Sequence, residues 1–382
     1  MFRKILFWMH LAAGLTTGVV ILIMSVTGTI LMYEKQIVAY ADRQEAERWT
    51  AGKDASAWPL GIEEIIANAR TTSGSLPTSI TLRAHNSEPW TIAVSGGGSL
   101  LVDGNSGRIL GPQAAGTRAF FRTVTDWHRW LGNRDNRATA RMITGASNVA
   151  FLFLVTSGLY LWFPRKWKWQ NVRAVLFFRG GLSGKARDFN WHNVTGFWCC
   201  LPLFFVVLSG VVISYPWASN LVYAVNGVQP PAQGKGKAKG GEGKQRPSAV
   251  RGEIDLTGIN GLVVQAKKQV PEWKSISFSI PASEQRQIVF NVDVGNGGQP
   301  QKRSTLTMNR ATGEMIRWET FTDQDAGRQA RSWLRFVHTG EYYGLAGQTI
   351  AGIASAGGAF LVWTGLALAY RRLRAWQSRN RW

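Results

Sequence analysis

Cysteine is nearly missing from this chain of 382 residues: Cys199 and Cys200 are the only two, adjacent and inside an apolar run. Neighbouring thiols in such a run read as small core residues, not as a disulfide or a metal site, so cysteine usage says nothing about the redox compartment. Acidic side chains are also few, 23 against 44 Lys and Arg. No glycine-rich stretch opens a helix after a strand. Ser95-Gly-Gly-Gly98 and Gly295-Asn-Gly-Gly298 read as hairpin turns, which leaves no nucleotide, flavin or nicotinamide fingerprint. Mean hydropathy is close to neutral, so the chain is not made of membrane spans alone.

Four apolar runs are nevertheless long enough to cross a bilayer at about 1.5 Å rise per residue. They give spans at 1–33, 143–163, 191–217 and 348–370. The first is too long for a signal-peptide core and has no A-x-A site after it, so it reads as an uncleaved span. Between the spans lie two long polar segments, 34–118 and 218–331, each followed by a short aromatic segment carrying one histidine, 119–142 and 332–347. In the first polar segment Leu60–Thr71 has helical spacing, and Pro77–Arg83, Pro89–Val94 and Ser99–Val102 read as strands, closed by a turn through Gly107. In the second, Gln229–Arg251 is a Gly/Lys/Pro-rich flexible loop. Thr257–Val270 then reads as a helix, Trp273–Ile280, Gln287–Val294 and Ser304–Met308 as strands, and a turn through Gly313 closes the set. Each polar segment is thus expected to be a small α+β module.

The same order is written twice, and a motif repeats with it. Met9-His10-Leu-Ala-Ala-Gly14, running on to Ser25-Val-Thr-Gly28 and Tyr33, returns as Trp191-His192-Asn-Val-Thr-Gly196, running on to Leu208-Ser209-Gly210 and Tyr215. From the histidine to the two glycines and the tyrosine the spacings are 4, 18 and 23 in both copies. Thr364-Gly365 echoes Ser157-Gly158 in the same way. Two spans per copy give a parallel repeat, a four-helix bundle with a pseudo-twofold axis along the membrane normal.

Charge sets the orientation. Residues 1–5, the loop 164–190 and the tail 371–382 together hold 14 basic residues against one acid, Asp188. By the positive-inside rule these face the cytoplasm, with both modules outside. Much of the net charge of +21 is then a topology signal, and nucleic-acid binding is the poorer explanation.

Four of the five histidines obey the repeat. His10 and His192 sit near the cytoplasmic ends of spans one and three, and His128 and His338 sit just outside spans two and four; His85, in a strand, has no counterpart. A central axis sets His10 against His192 and His128 against His338. Two opposed imidazoles are what a b-type haem needs as axial ligands, and small residues let a flat macrocycle lie between helices. Zinc or copper would lack ligands at either level. Proton relay and plain helix–helix hydrogen bonding stay open as uses of the same side chains. Arg129 and Arg335 flank the outer pair, either as partners of propionates or as interfacial cations.

On His10-Leu-Ala-Ala-Gly14, Ser25-Val-Thr-Gly28, Trp127-His128-Arg-Trp-Leu-Gly132, Trp191-His192, Thr364-Gly365 and the two helix-plus-sheet modules, nearly the whole chain resembles the PepSY-associated transmembrane family. Within it the chain looks most like the siderophore-iron reductases, of ferrioxamine type, of Gram-negative inner membranes. The resemblance implies two b-type haems, on His10 with His192 and on His128 with His338. It also implies reduction of a ferric siderophore in the periplasm with release of ferrous iron, and a separate electron donor, cytoplasmic or quinol. The second half departs from the family pattern at Val337-His338-Thr-Gly340, which lacks the His-Arg-Trp motif. Two other uses remain: a haem-free sensor or peptidase-regulating membrane protein, and a cytochrome b serving another electron-transfer chain.

Overall fold

The computed structural model describes residues 1–50, 60–85, 88–164, 168–231 and 254–379. The lysine-rich loop through Lys235–Lys244 lies outside them. The chain divides into two compact units: residues 1–34, 120–229 and 330–382 form one, and residues 35–119 and 230–329 the other.

The first unit is built on four helices long and apolar enough to cross a membrane, Phe2–Leu31, Arg137–Trp162, Gly184–Ser214 and Gly344–Arg379. They pack as a ring in which the first touches the second and fourth, and the third touches the second and fourth. Small residues set the close approaches. A side chain at Gly145 would meet the Tyr215 hydroxyl at 2.7 Å, one at Gly210 would meet Asn148 Nδ2 at 2.8 Å, and one at Gly357 would overlap Cys199. Without a hydrophobic drive between helices in lipid, such backbone proximity is the main source of packing energy.

The helices outrun the apolar runs that announce them. The second starts at Arg137, where the Asn136 side chain accepts a hydrogen bond from Thr139 N at 3.2 Å. The third starts at Gly184, ahead of the span expected from 191, so His192 stands two turns inside it. Apolar content marks the stretch inside lipid, and the polar turns beyond it stay helical. The short helices Trp169–Leu176 and Pro216–Val225 were not legible as such.

The second unit holds one antiparallel sheet of eight strands: β1 Pro77–Arg83, β2 Trp90–Val94, β3 Ser99–Val102, β4 Ile109–Pro112, β5 Ser275–Ser279, β6 Gln287–Asp293, β7 Arg303–Asn309 and β8 Met315–Thr320. The order is β4-β3-β2-β1-β5-β6-β7-β8. Two separate modules were expected; their strands instead join through β1 and β5, with Ile80 opposite Phe278 and Leu82 opposite Ile276. The reason is physical. Each half alone would leave an alternating apolar strand as an open edge over a very small core, and pairing the two edges removes both problems. Strand alternation then puts one face inward: Ser-Ile-Ser-Phe-Ser in β5 buries Ile276 and Phe278. Helices Ile62–Ser73 and Ile259–Gln269 cover that face with Ile62, Ile65, Ile66 and Ala69, and with Ile259, Leu262, Val263 and Ala266. Asn260 ties them: its Oδ1 accepts from Ile62 N at 2.7 Å and its Nδ2 donates to Glu63 Oε2 at 2.9 Å.

β4 and β8 were read as closing turns. Gly111 and Pro112 disguise β4, and β8 is an edge strand with Met315 and Ile316 exposed. The helix Glu34–Thr50 also escaped, being polar on most sides; it buries Asp42, whose carboxylate accepts from Ala114 N at 3.0 Å and pairs with Arg118.

Phe290 is fully buried and packs edge-on against Phe278, 5.1 Å between centroids. Phe290→Ala is expected to destabilise this unit by about 3–5 kcal/mol. The neighbouring Val289, which points to the exposed face, should cost under about 0.5 kcal/mol as Val289→Ala. Denaturant titration of the full chain in detergent measures both.

Candidate cofactor site in the helix bundle

Thr27 lies 17 residues after His10 on the first span helix, and Ser209 lies 17 after His192 on the third. At 1.5 Å per residue both pairs of positions are about 25 Å apart along their axes. They define two storeys. The lower holds His10 and His192; the upper holds His128, in helix Ala115–Trp130, and His338, the last residue of helix Ala326–His338.

Every one of these four rings is tied through Nδ1 to a hydroxyl on a span helix. His10 Nδ1 meets Ser157 Oγ at 2.8 Å, and His192 Nδ1 meets Thr364 Oγ1 at 2.9 Å. His128 Nδ1 meets Thr27 Oγ1 at 3.0 Å, and His338 Nδ1 meets Ser209 Oγ at 3.2 Å and the Val206 carbonyl at 2.8 Å. In each case the hydroxyl belongs to a Ser/Thr-Gly pair: Thr27-Gly28, Ser157-Gly158, Ser209-Gly210 and Thr364-Gly365. Three of those glycines are where the ring lies against the helix. An added Cβ would stand 3.3 Å from His128 Cε1 at Gly28, 3.3 Å from His10 Cε1 at Gly158 and 3.5 Å from His192 Cε1 at Gly365. The fourth, Gly210, faces Asn148 instead.

The upper two rings face each other, 6.3 Å between centroids with 57° between planes. With metal–nitrogen bonds of about 2.0 Å and about 1.1 Å from ring nitrogen to ring centre, two imidazoles on one ion stand about 6.2 Å apart. The lower two stand on the first and third span helices, His10 against Ser157 and Gly158 of the second and His192 against Thr364 and Gly365 of the fourth. All four histidines keep some accessible surface. Among the described residues no three His, Cys, Asp or Glu side chains gather as metal ligands; each storey offers two imidazoles. Among the described residues their hydrogen bonds are at Nδ1, and glycine lies beside three of the rings, which leaves Nε2 for a haem iron.

The upper storey is kept uncharged at its centre and positive at its rim. Burial, and then the His338 ring, push His128 down to about 4, so it is neutral at physiological pH. Burial, then Arg141, Arg335 and Arg137, hold Arg129 below its ordinary value. Arg129 and Arg137 both lie over the Trp130 ring, 4.9 Å and 4.5 Å from its centroid. Trp333 donates from Nε1 to the Tyr343 hydroxyl at 3.3 Å and stands 6.1 Å from Phe205, and Trp127 is exposed.

The four repeat-related histidines therefore come together as two pairs. His85 does not join them; it is exposed in the bend after β1. Sequence reasoning missed the roles of the hydroxyls. A Ser/Thr-Gly pair occurs on every span helix but does not by itself mark the partner, since Thr17-Gly18, Thr144-Gly145 and Thr195-Gly196 are further pairs on the first three.

A family model described as PepSY-associated TM region matches residues 7–372. No curated protein matches the chain.

Gly28→Val places a branched side chain where the His128 ring sits. In protein supplied with haem it is expected to lose about half of the bound haem, read in the optical spectrum. Gly261→Val, where an added Cβ meets nothing within 4 Å, should leave haem content unchanged.

Proposed function

The chain belongs to the PepSY-associated transmembrane family, and from that premise we propose that it is an inner-membrane di-haem b-type reductase. It passes electrons across the membrane to a ferric siderophore in the periplasm, which then releases ferrous iron. The observation that carries this reading is the four imidazoles, each hydrogen-bonded at Nδ1 to a hydroxyl of a span helix, two at each of two depths of one bundle.

His10 with His192, and His128 with His338, would hold the two groups. A haem kept there by two imidazoles would supply a one-electron couple suited to outer-sphere transfer. The lower two stand on the apolar span helices Phe2–Leu31 and Gly184–Ser214. The basic flanks of the spans put both termini in the cytoplasm and the sheet unit in the periplasm. Arg129, Arg335 and the aromatic side chains Trp127, Trp130, Trp333, Tyr342 and Tyr343 border the upper pair, where a ferric chelate would dock. Siderophores hold ferric iron through hard oxygen donors that bind ferrous iron far less well, so one electron frees the metal. The donor is a separate protein or quinol. The two halves descend from one duplicated unit related by an axis along the membrane normal, which is why the four ligands occur as two matched pairs.

A pyridine haemochrome assay on the purified full chain is expected to give two b-type haems per molecule. His10→Ala or His192→Ala should leave one, and His85→Ala should leave both. The reduced protein is then expected to yield Fe²⁺ to ferrozine, without oxygen, from a ferric trihydroxamate. A colourless protein that takes up no haem rules the reading out and favours the sensor class. Haem without ferrozine capture from any chelate in a panel would point to another electron-transfer chain.

A further inference from the structure

A histidine presents either nitrogen to a metal, and which one depends on where the other's proton goes. A backbone carbonyl only accepts. The Val206 carbonyl, 2.8 Å from His338 Nδ1, therefore places the proton on Nδ1 and the lone pair on Nε2. That carbonyl lies three residues before Ser209, whose hydroxyl also touches the ring. The hydroxyls themselves donate to their own helix, Thr27 to Ile23 O at 2.6 Å, Ser209 to Val206 O at 2.8 Å and Thr364 to Phe360 O at 2.9 Å. Their protons being spent there, they accept from Nδ1–H. His338 is thus held by a carbonyl and a hydroxyl together.

His10 is the opposite case. Among the described residues its Nδ1 is hydrogen-bonded to Ser157 Oγ at 2.8 Å, and the corresponding carbonyl, Leu154 O, accepts from that hydroxyl at 3.4 Å. A hydroxyl accepts or donates, so its direction decides the tautomer of His10.

We propose that the ring-facing hydroxyls of Thr27, Ser157, Ser209 and Thr364 are a positioning device that selects Nε2 as the ligating nitrogen, and that Ser157 is indispensable to it, no second acceptor for His10 Nδ1 standing among the described residues. Ser209 is its most dispensable, because Val206 still accepts when Ser209 is gone. Thr27, Ser157, Ser209 and Thr364 act through the histidines and touch no metal. The proposal rests on the two-haem reading and adds to it a ranking that haem content alone does not contain. An acceptor on Nδ1–H makes the imidazole a stronger donor and favours the ferric state, so its loss raises the midpoint potential.

Two measurements test this. In the full chain labelled with ¹⁵N-histidine and before haem addition, the ring shifts of wild type are expected to show the Nδ1–H, Nε2 tautomer for four histidines. Ser157→Ala should turn one of them into a mixture, and Ser209→Ala should change none. In the haem-loaded protein, redox titration is expected to show one midpoint raised by Ser157→Ala, restored by Ser157→Thr, and both nearly unmoved by Ser209→Ala. Loss of haem in Ser157→Ala supports the assignment if Ser157→Thr restores it. Equal effects of the two alanine variants, a larger effect of Ser209→Ala, or a loss that Ser157→Thr does not restore overturns it. A wild type with neither the tautomer nor haem overturns this proposal and the reductase reading together; the tautomer without haem overturns only the latter.

Discussion

The bundle depends on a demand that water would otherwise meet. An imidazole N–H inside a set of packed helices needs an acceptor, and here the acceptor stands on a span helix each time. His10 reaches Ser157 and so joins the first span to the second; His192 reaches Thr364 and joins the third to the fourth. Thr27 and Ser209 do the same for the helices that carry His128 and His338. Such bonds in membrane bundles average about 0.6 kcal/mol, so four of them do not hold the unit together. Close packing at Gly145, Gly210 and Gly357 does that. What the hydrogen bonds decide is register: a helix shifted by one residue would lose both its hydroxyl and the glycine that lets the ring in.

That coupling explains why hydroxyl and glycine are adjacent. A ring lying flat on a helix needs a missing side chain beneath it and an acceptor at its edge, and neighbouring positions supply both. Gly28, Gly158 and Gly365 fill the first need with 3.3–3.5 Å to the ring carbon. Gly210 is the exception that locates the asymmetry of the repeat. It gives its space to Asn148, whose Nδ2 donates to Val207 O at 3.2 Å, and His338 leans on the Val206 carbonyl instead. The second half also departs in sequence here, at Val337-His338-Thr-Gly340.

Much of this was legible in the residues. Apolar length fixed four spans, alternation located β1, β3 and β6 to within a residue or so, and a repeated spacing singled out four histidines from five. Three kinds of feature were not legible, for separate reasons. Polar helices such as Glu34–Thr50 carry no apolar stripe for periodicity to detect. Edge strands such as β4 and β8 lack a fully buried face or contain Gly and Pro. The merging of two expected modules into one sheet is a long-range pairing of β1 with β5, which local pattern does not encode. The hydroxyl partners are a fourth case: the residues were in view, but which ring a hydroxyl meets depends on helix neighbours far away in sequence.

Asp188 shows how the same logic extends to charge. It is the one acid in the basic flanks, and orientation does not need it, because acidic residues contribute little to the positive-inside effect. It is nearly inaccessible, accepting from Arg187 at 2.9 Å and from Arg371 Nε at 2.8 Å. Arg371 closes the fourth span and Asp188 opens the third, so the ion pair fixes these two helix ends. One turn on from Asp188 and two turns back from Arg371, His192 and Thr364 join the same two helices. A carboxylate buried without both guanidiniums would cost several kcal/mol, so its presence at this depth requires the two ends to stay adjacent. The imidazole one turn above then has a fixed neighbour to lean on.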